Sequence, residues 1–162
     1  MQLRSVRSSS FWQTRRARLE RSEREARILD GLAHLLIHLK SVACEARAER
    51  RKLLRWPIGH PAEPSTRFVE LSEAIHRFPL EAAQGEVPIE ALLNARRAAK
   101  EMQPLVGPEP ELDVNPNFER TFLEYVTILD EQILLLRGEA RCLMKGGRAR
   151  HAATIQDSAK QA

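Results

Sequence analysis

The chain has 162 residues, 43% apolar and 30% charged, with a net charge of +4 carried by 21 arginines and 5 lysines against 22 acids. That length fits one ordinary domain that buries a core without disulfides or metal, and no apolar run approaches the roughly 20 residues a bilayer requires, so a soluble protein is expected. Its charge is polarised along the sequence: residues 1–57 sum to +8, residues 108–137 to −5 and residues 138–162 to +3.

Residues 1–13 show no periodicity and read as a disordered basic arm. The Arg- and Ser-rich N-terminus has no apolar h-region, which excludes a secretory signal. It also has no acid before Glu20. In composition it resembles an organellar transit peptide as much as a cytoplasmic arm, and a cytoplasmic protein is the primary expectation. Between Phe11 and Trp56 there is no proline and one glycine, Gly31, while twelve Lys and Arg fall in this stretch. That pattern predicts one long basic helix. From Gln13 to Arg27 its apolar residues are few, but Arg16/Glu20, Glu20/Arg24, Arg21/Glu25 and Glu23/Arg27 lie four apart, the spacing that supports a solvated helix. Ile28, Leu32, Leu35, Leu36, Leu39, Val42 and Ala43 then form a core-facing stripe on a wheel turning 100° per residue. After Ala46 cations spread around the wheel, so the helix is expected to overhang its neighbours until Pro57 stops it at Trp56.

Residues 57–64 read as a loop. Ser65 offers an N-cap for a short helix reaching Phe78, with Phe68, Leu71, Ile75 and Phe78 on its apolar face and Pro79 as its stop. Pro88 suits the first turn of a third helix running to about Gln103, whose stripe is mostly alanine and permits close approach. Pro104 to Pro116, with four prolines and three acids, reads as a stiff acidic loop. Asn115 or Asn117 then caps the most periodic helix of the chain, with Phe118, Phe122, Tyr125, Val126, Leu129, Ile133 and Leu136 at spacings of three and four. Gly146-Gly147 are expected to end it near Lys145, leaving 146–162 as a tail. The predicted fold is all-α: an antiparallel bundle of about four helices within residues 14–145, the first helix long and overhanging.

Few constellations suggest chemistry. Cys44 and Cys142 lie in helical contexts without a CxxC, which argues for two free thiols. His34 and His38 are four apart and Glu73/His76 form ExxH, spacings used by helix-borne metal sites. On the wheel, however, both histidines of the first helix point well away from the apolar stripe, and a second ExxH is missing. Arg27 and His34 have a spacing that resembles the R-x6-H pair of the helical ribonucleases called HEPN, which implies a His general acid or base beside a phosphate-stabilising Arg. The polar residue usual after the arginine is Ile28 here, and the pair falls on the first helix instead of a late one. No P-loop, GxSxG or GxGxxG occurs, and no cofactor is expected.

The remaining candidate is basic. Arg47, Arg50, Arg51, Lys52 and Arg55 place five cations within nine residues, suited to an acidic partner or to phosphates. The expectation is a non-enzymatic helical interaction protein that binds a protein partner or self-associates through its first helix. A sequence-independent nucleic-acid accessory protein is the alternative, and a helical metalloenzyme or HEPN-like ribonuclease the third reading.

Overall fold

The computed structural model describes the backbone of residues 5–53, 63–107 and 117–159, and the side chains of residues 12–49, 63–107 and 117–146. It contains four α-helices, α1 (Ser5–Leu53), α2 (Glu63–Arg77), α3 (Glu86–Val106) and α4 (Phe118–Ala159), with a 3-10 turn at Leu80–Ala82 between α2 and α3. Among the described residues there is no strand. The fold is the all-α bundle read from the sequence. Its helices are very unequal: α1 has 49 residues and α4 has 42, against 15 in α2 and 21 in α3.

Cross-helix pairs fix the directions. Arg47 is ion-paired with Glu119 and Lys40 with Asp130 at 2.6 Å, so α1 and α4 run antiparallel, and these two make the most extensive helix pair of the bundle. Arg67 approaches Glu45 at 3.9 Å and Arg21 donates to Gln84 at 2.9 Å, which lays α2 and the following turn back along α1. Arg96 of α3 donates to the carbonyls of Ile75, at 3.2 Å, and Phe78. A cation on the last carbonyls of α2 satisfies acceptors that the helix itself leaves open and locks the α2–α3 corner.

Core positions follow a seven-residue repeat. On α1 the series Leu29, Leu36, Ala43, the series Leu32, Leu39, Ala46 and the pair Ala26, Ala33 are all buried. On α4, Phe122, Leu129, Leu136 and the pair Ile133, Ala140 behave likewise. A seven-residue period drifts by about 20° per two turns against a straight helix, so the seam winds around its neighbours. A straight wheel therefore misplaces residues at its edges: Ile28 and Leu35, expected inward, are half-buried, whereas Ala26, Leu29, Ala33 and Ala46 lie in the core. The alanines of α3, Ala91, Ala95, Ala98 and Ala99, are fully packed beside Leu92 and Met102, and α2 supplies Phe68 and Ile75.

Helix limits differ from the sequence expectation in physically intelligible ways. α1 begins at Ser5 instead of near Gln13, because no proline or glycine interrupts residues 5–30. Ser65, expected as an N-cap, is buried inside the first turn of α2, which starts at Glu63. α3 starts from Gly85, whose φ of 106° is open to glycine, and Pro88 follows within the first turn where its missing N–H is harmless. Pro104 does not stop α3 at once; the helix runs two residues further, to Val106. α4 passes through Gly146-Gly147 to Ala159, since neither glycine takes the left-handed conformation a C-terminal stop requires. Trp56, Pro57 and the acidic stretch 108–116 lie outside the described residues.

Candidate interaction surface

The α1–α4 pair has two ends of opposite character. At the end where α4 begins, Arg47 lies only 11% exposed, with its guanidinium carbon 3.9 Å from the centroid of Phe118 and 5.7 Å from that of Phe122. Its terminal nitrogen donates to the Glu119 carboxylate. Antiparallel packing brings the first turn of α4 against this turn of α1, so the cation is held between a ring face and a carboxylate of its own bundle. Arg50, Arg51 and Lys52 belong to the last turn of α1 with side chains outside the described residues, as is Arg55 entirely. Of the five predicted cations, Arg47 alone has a described environment, and that environment is a helix contact.

Glu73 pairs with Arg77 at 2.8 Å, and the Nδ1 of His76 lies 2.8 Å from the carbonyl of Ser72. His34 directs Nδ1 at the carbonyl of Asp30, 2.9 Å away, with the Asp30 carboxylate at 3.6 Å. His38 is exposed. Each of these contacts lies within one helix, so the structure brings none of the four onto another, and among the described residues no group of three or more His, Cys, Asp or Glu side chains converges. Arg27 and His34 occupy one helix two turns apart, roughly 10 Å along the axis; the Arg27 Nε donates to the carbonyl of Glu23 at 3.3 Å.

The opposite end holds a feature the charge count missed. An open cleft of about 590 Å³ between α1 and α4 is lined by Arg27 and Asp30 from α1 and by Arg137, Arg141 and Lys145 from α4, over an apolar floor of Ala26, Ala140 and Met144. Arg137, Arg141 and Lys145 follow one another at four-residue intervals, roughly 6 Å apart along the helix. None of the three makes an ion pair or hydrogen bond among the described residues. Arg16, Arg21, Arg77 and Arg120, by contrast, each pair with an acid four residues away. The i, i+4 spacing of the three cations is visible in the sequence, but only the antiparallel packing of α1 supplies the facing wall.

Both cysteines are free and exposed. Although Cys44 is exposed, the atoms packed around its sulfur partly desolvate it and push the thiol pKa up; Lys40 opposes the shift, and Asp130 and Glu45 reinforce it. No helix among the described residues is long and apolar enough to cross a membrane. Comparison with protein-family models, curated proteins and solved structures finds no match to this chain.

Proposed function

We propose that this chain is a non-enzymatic helical interaction protein that engages a protein partner through the outer face of its long α1–α4 pair. The observation that carries this reading is the disparity in helix length. α1 and α4 extend well past the α2–α3 turn, which meets α1 at Arg21, so both long helices offer surface that the two short ones do not cover. Ion pairs such as Arg16–Glu20 and Arg21–Glu25 keep that projecting section of α1 helical in water.

A second reading, sequence-independent binding of nucleic acid, draws support from the cleft, whose four cations against one acid suit a phosphate backbone. One titration separates the two. The full chain is added to fluorescent random single-stranded and duplex oligonucleotides at about 50 and 200 mM salt. The protein-partner reading expects weak binding at both. Tight binding that falls by orders of magnitude between the two salt concentrations overturns it in favour of the nucleic-acid reading.

A further inference from the structure

Building on the interaction-protein reading, we propose that the cleft between α1 and α4 seats an acidic amphipathic helix of a partner protein. Its carboxylates lie on Arg137, Arg141 and Lys145, and its apolar edge covers the floor between the two helices.

The row of cations sets the charge of the occupant. Arg137, Arg141 and Lys145 stretch roughly 12 Å along α4, and Arg27 adds a fourth cation from the facing wall. None of the four is ion-paired among the described residues. The one acid of the lining, Asp30, lies 3.6 Å from His34 of its own helix. Neighbouring acids are engaged elsewhere: Glu20 is held by Arg16 and Glu25 by Arg21, while Glu23 meets Arg27 through its backbone carbonyl. Glu139, two residues from both arginines, does not share their face of the helix. Beyond the cleft, α1 carries no acid between Ser5 and Leu19, and α4 carries one past Lys145, Asp157, roughly 18 Å farther on.

The floor sets the shape of the occupant. Ala26 and Ala140 are small and buried, which lets a third helix come close, and Met144 is an adaptable apolar side chain that is 41% exposed. Carboxylates four residues apart on a partner helix repeat at the same roughly 6 Å as the three cations. Each turn of the partner thus sets one carboxylate on one cation, and the residues beside the carboxylates cover the floor. α2 and α3 already pack on the same α1–α4 pair as helices on helices.

Other anions fit less well. In an open cleft a small ion keeps its water, and exposed cations gain little from each such contact. A phosphate backbone matches the cations but has no apolar face for Met144 and meets the Asp30 carboxylate on the α1 wall. No aromatic side chain among the lining residues offers a base a stacking surface.

The test adds the full chain to a fluorescein-labelled peptide of about 18 residues, built on alanine and glutamine, with glutamate at every fourth position and leucine after each glutamate. Like charges four apart keep the free peptide poorly helical. Anisotropy should show saturable binding at about 50 mM salt, where charge contacts are weakly screened. Circular dichroism of the mixture should exceed the sum of its components as the peptide becomes helical. Arg141→Glu with Lys145→Glu should weaken binding at least tenfold without changing the protein's own helical signal, since both side chains are exposed. Met144→Glu should weaken it too. Arg97→Glu with Lys100→Glu, which reverses exposed cations of α3 outside the cleft, should leave it nearly unchanged. A peptide of the same composition in scrambled order should bind at least tenfold more weakly. No saturable binding of the patterned peptide, equal binding of the scrambled one, equal losses from the two charge reversals, or displacement of the peptide by random oligonucleotides each overturns the inference. A chain that ignores both peptide and oligonucleotides leaves the broader interaction reading intact, whereas steep salt-dependent oligonucleotide binding overturns that reading as well.

Discussion

The two ends of the α1–α4 pair treat the same kind of residue in opposite ways. At one end Arg47 is drawn between helices, laid on Phe118 and neutralised by Glu119. At the other, Arg137, Arg141 and Lys145 stand in line along an open cleft that holds one acid, Asp30, and none of the three makes an ion pair among the described residues. An arginine in a cluster is thus not by itself a binding residue: what the facing helix offers decides whether the cation stabilises the bundle or is left for a partner. Buried against aromatic rings, a guanidinium contributes through packing and cation–π attraction; lined up with like charges in water, it costs a few tenths of a kcal/mol per neighbour.

The largest expected effect tests the first half of that contrast. Arg47→Ala should destabilise the fold by about 2 kcal/mol, because it removes the ring contacts, the ion pair and the packed side-chain stem together. For a domain this size, that corresponds to a fall in Tm of about 4 to 8 °C, readable in urea or thermal unfolding. Arg141→Ala, measured alongside, should change stability by less than about 0.5 kcal/mol, the usual range for an exposed substitution. Equal losses at the two positions would erase the distinction between the ends.

A smaller effect concerns the backbone beside the cleft. Gly31 of α1 and Gly138 of α4 are both exposed, and a Cβ at either would meet nothing within 4 Å. Neither glycine serves a turn or a close approach, so each simply weakens its helix. Gly31→Ala and Gly138→Ala should each stabilise by about 0.8 kcal/mol. Amide exchange around residues 27–35 and 137–145 should slow in both variants, showing that this end is locally the softer one. Unchanged exchange there would mean that the glycines do not limit its stability.

Next comes the like-charge line itself. Arg141→Glu replaces two repulsive i, i+4 neighbours with two attractive ones, and should raise stability by about 0.5 to 1 kcal/mol at low salt. The gain should shrink as salt is added, because exposed charges are screened. A loss of stability would show that Arg141 has a partner within the bundle and that the cleft is not waiting for an anion.

These contrasts were unevenly legible in the sequence. The inner seam of α4 could be read directly, since Phe122, Leu129, Ile133 and Leu136 stand out against polar neighbours. On α1 half of the seam is alanine, which gives little hydropathic contrast, and a straight wheel ignores the drift of a seven-residue repeat. For that reason the wheel leaves out Leu29 and Ala46, which are buried, and turns Ile28, which is half-buried, inward. Neither proline nor glycine acts as a stop here: α3 continues two residues past Pro104, and Gly146-Gly147 stay helical. Arg47 looked like one more member of a basic run, because nothing local announces that Phe118 and Glu119, more than 70 residues later, will sit across from it. The cleft is the converse case. Its three cations are regularly spaced in the sequence, yet their sum is diluted by the acids of the preceding stretch, and their lack of partners is a property of packing alone.

Midway between the two ends, the Lys40–Asp130 pair offers the finest test, through the thiol beside it. Partial desolvation raises the Cys44 pKa, with Lys40 offsetting part of the rise and Asp130 and Glu45 adding to it. Only the thiolate is alkylated, so at neutral pH Cys44 should react with iodoacetamide more slowly than an unperturbed thiol. Removing the cation in Lys40→Met should move its alkylation midpoint to higher pH, and removing the anion in Asp130→Asn should move it lower, because each mutation deletes a charge of known sign near the sulfur. The measurement uses Cys142→Ser so that one thiol reports. Shifts of these opposite signs would place Cys44 in the field of an intact α1–α4 ion pair, with the bundle closed at its middle between a sealed end and an open one. Insensitivity to both changes would mean that the pair is solvated and that the helices part well before the cleft.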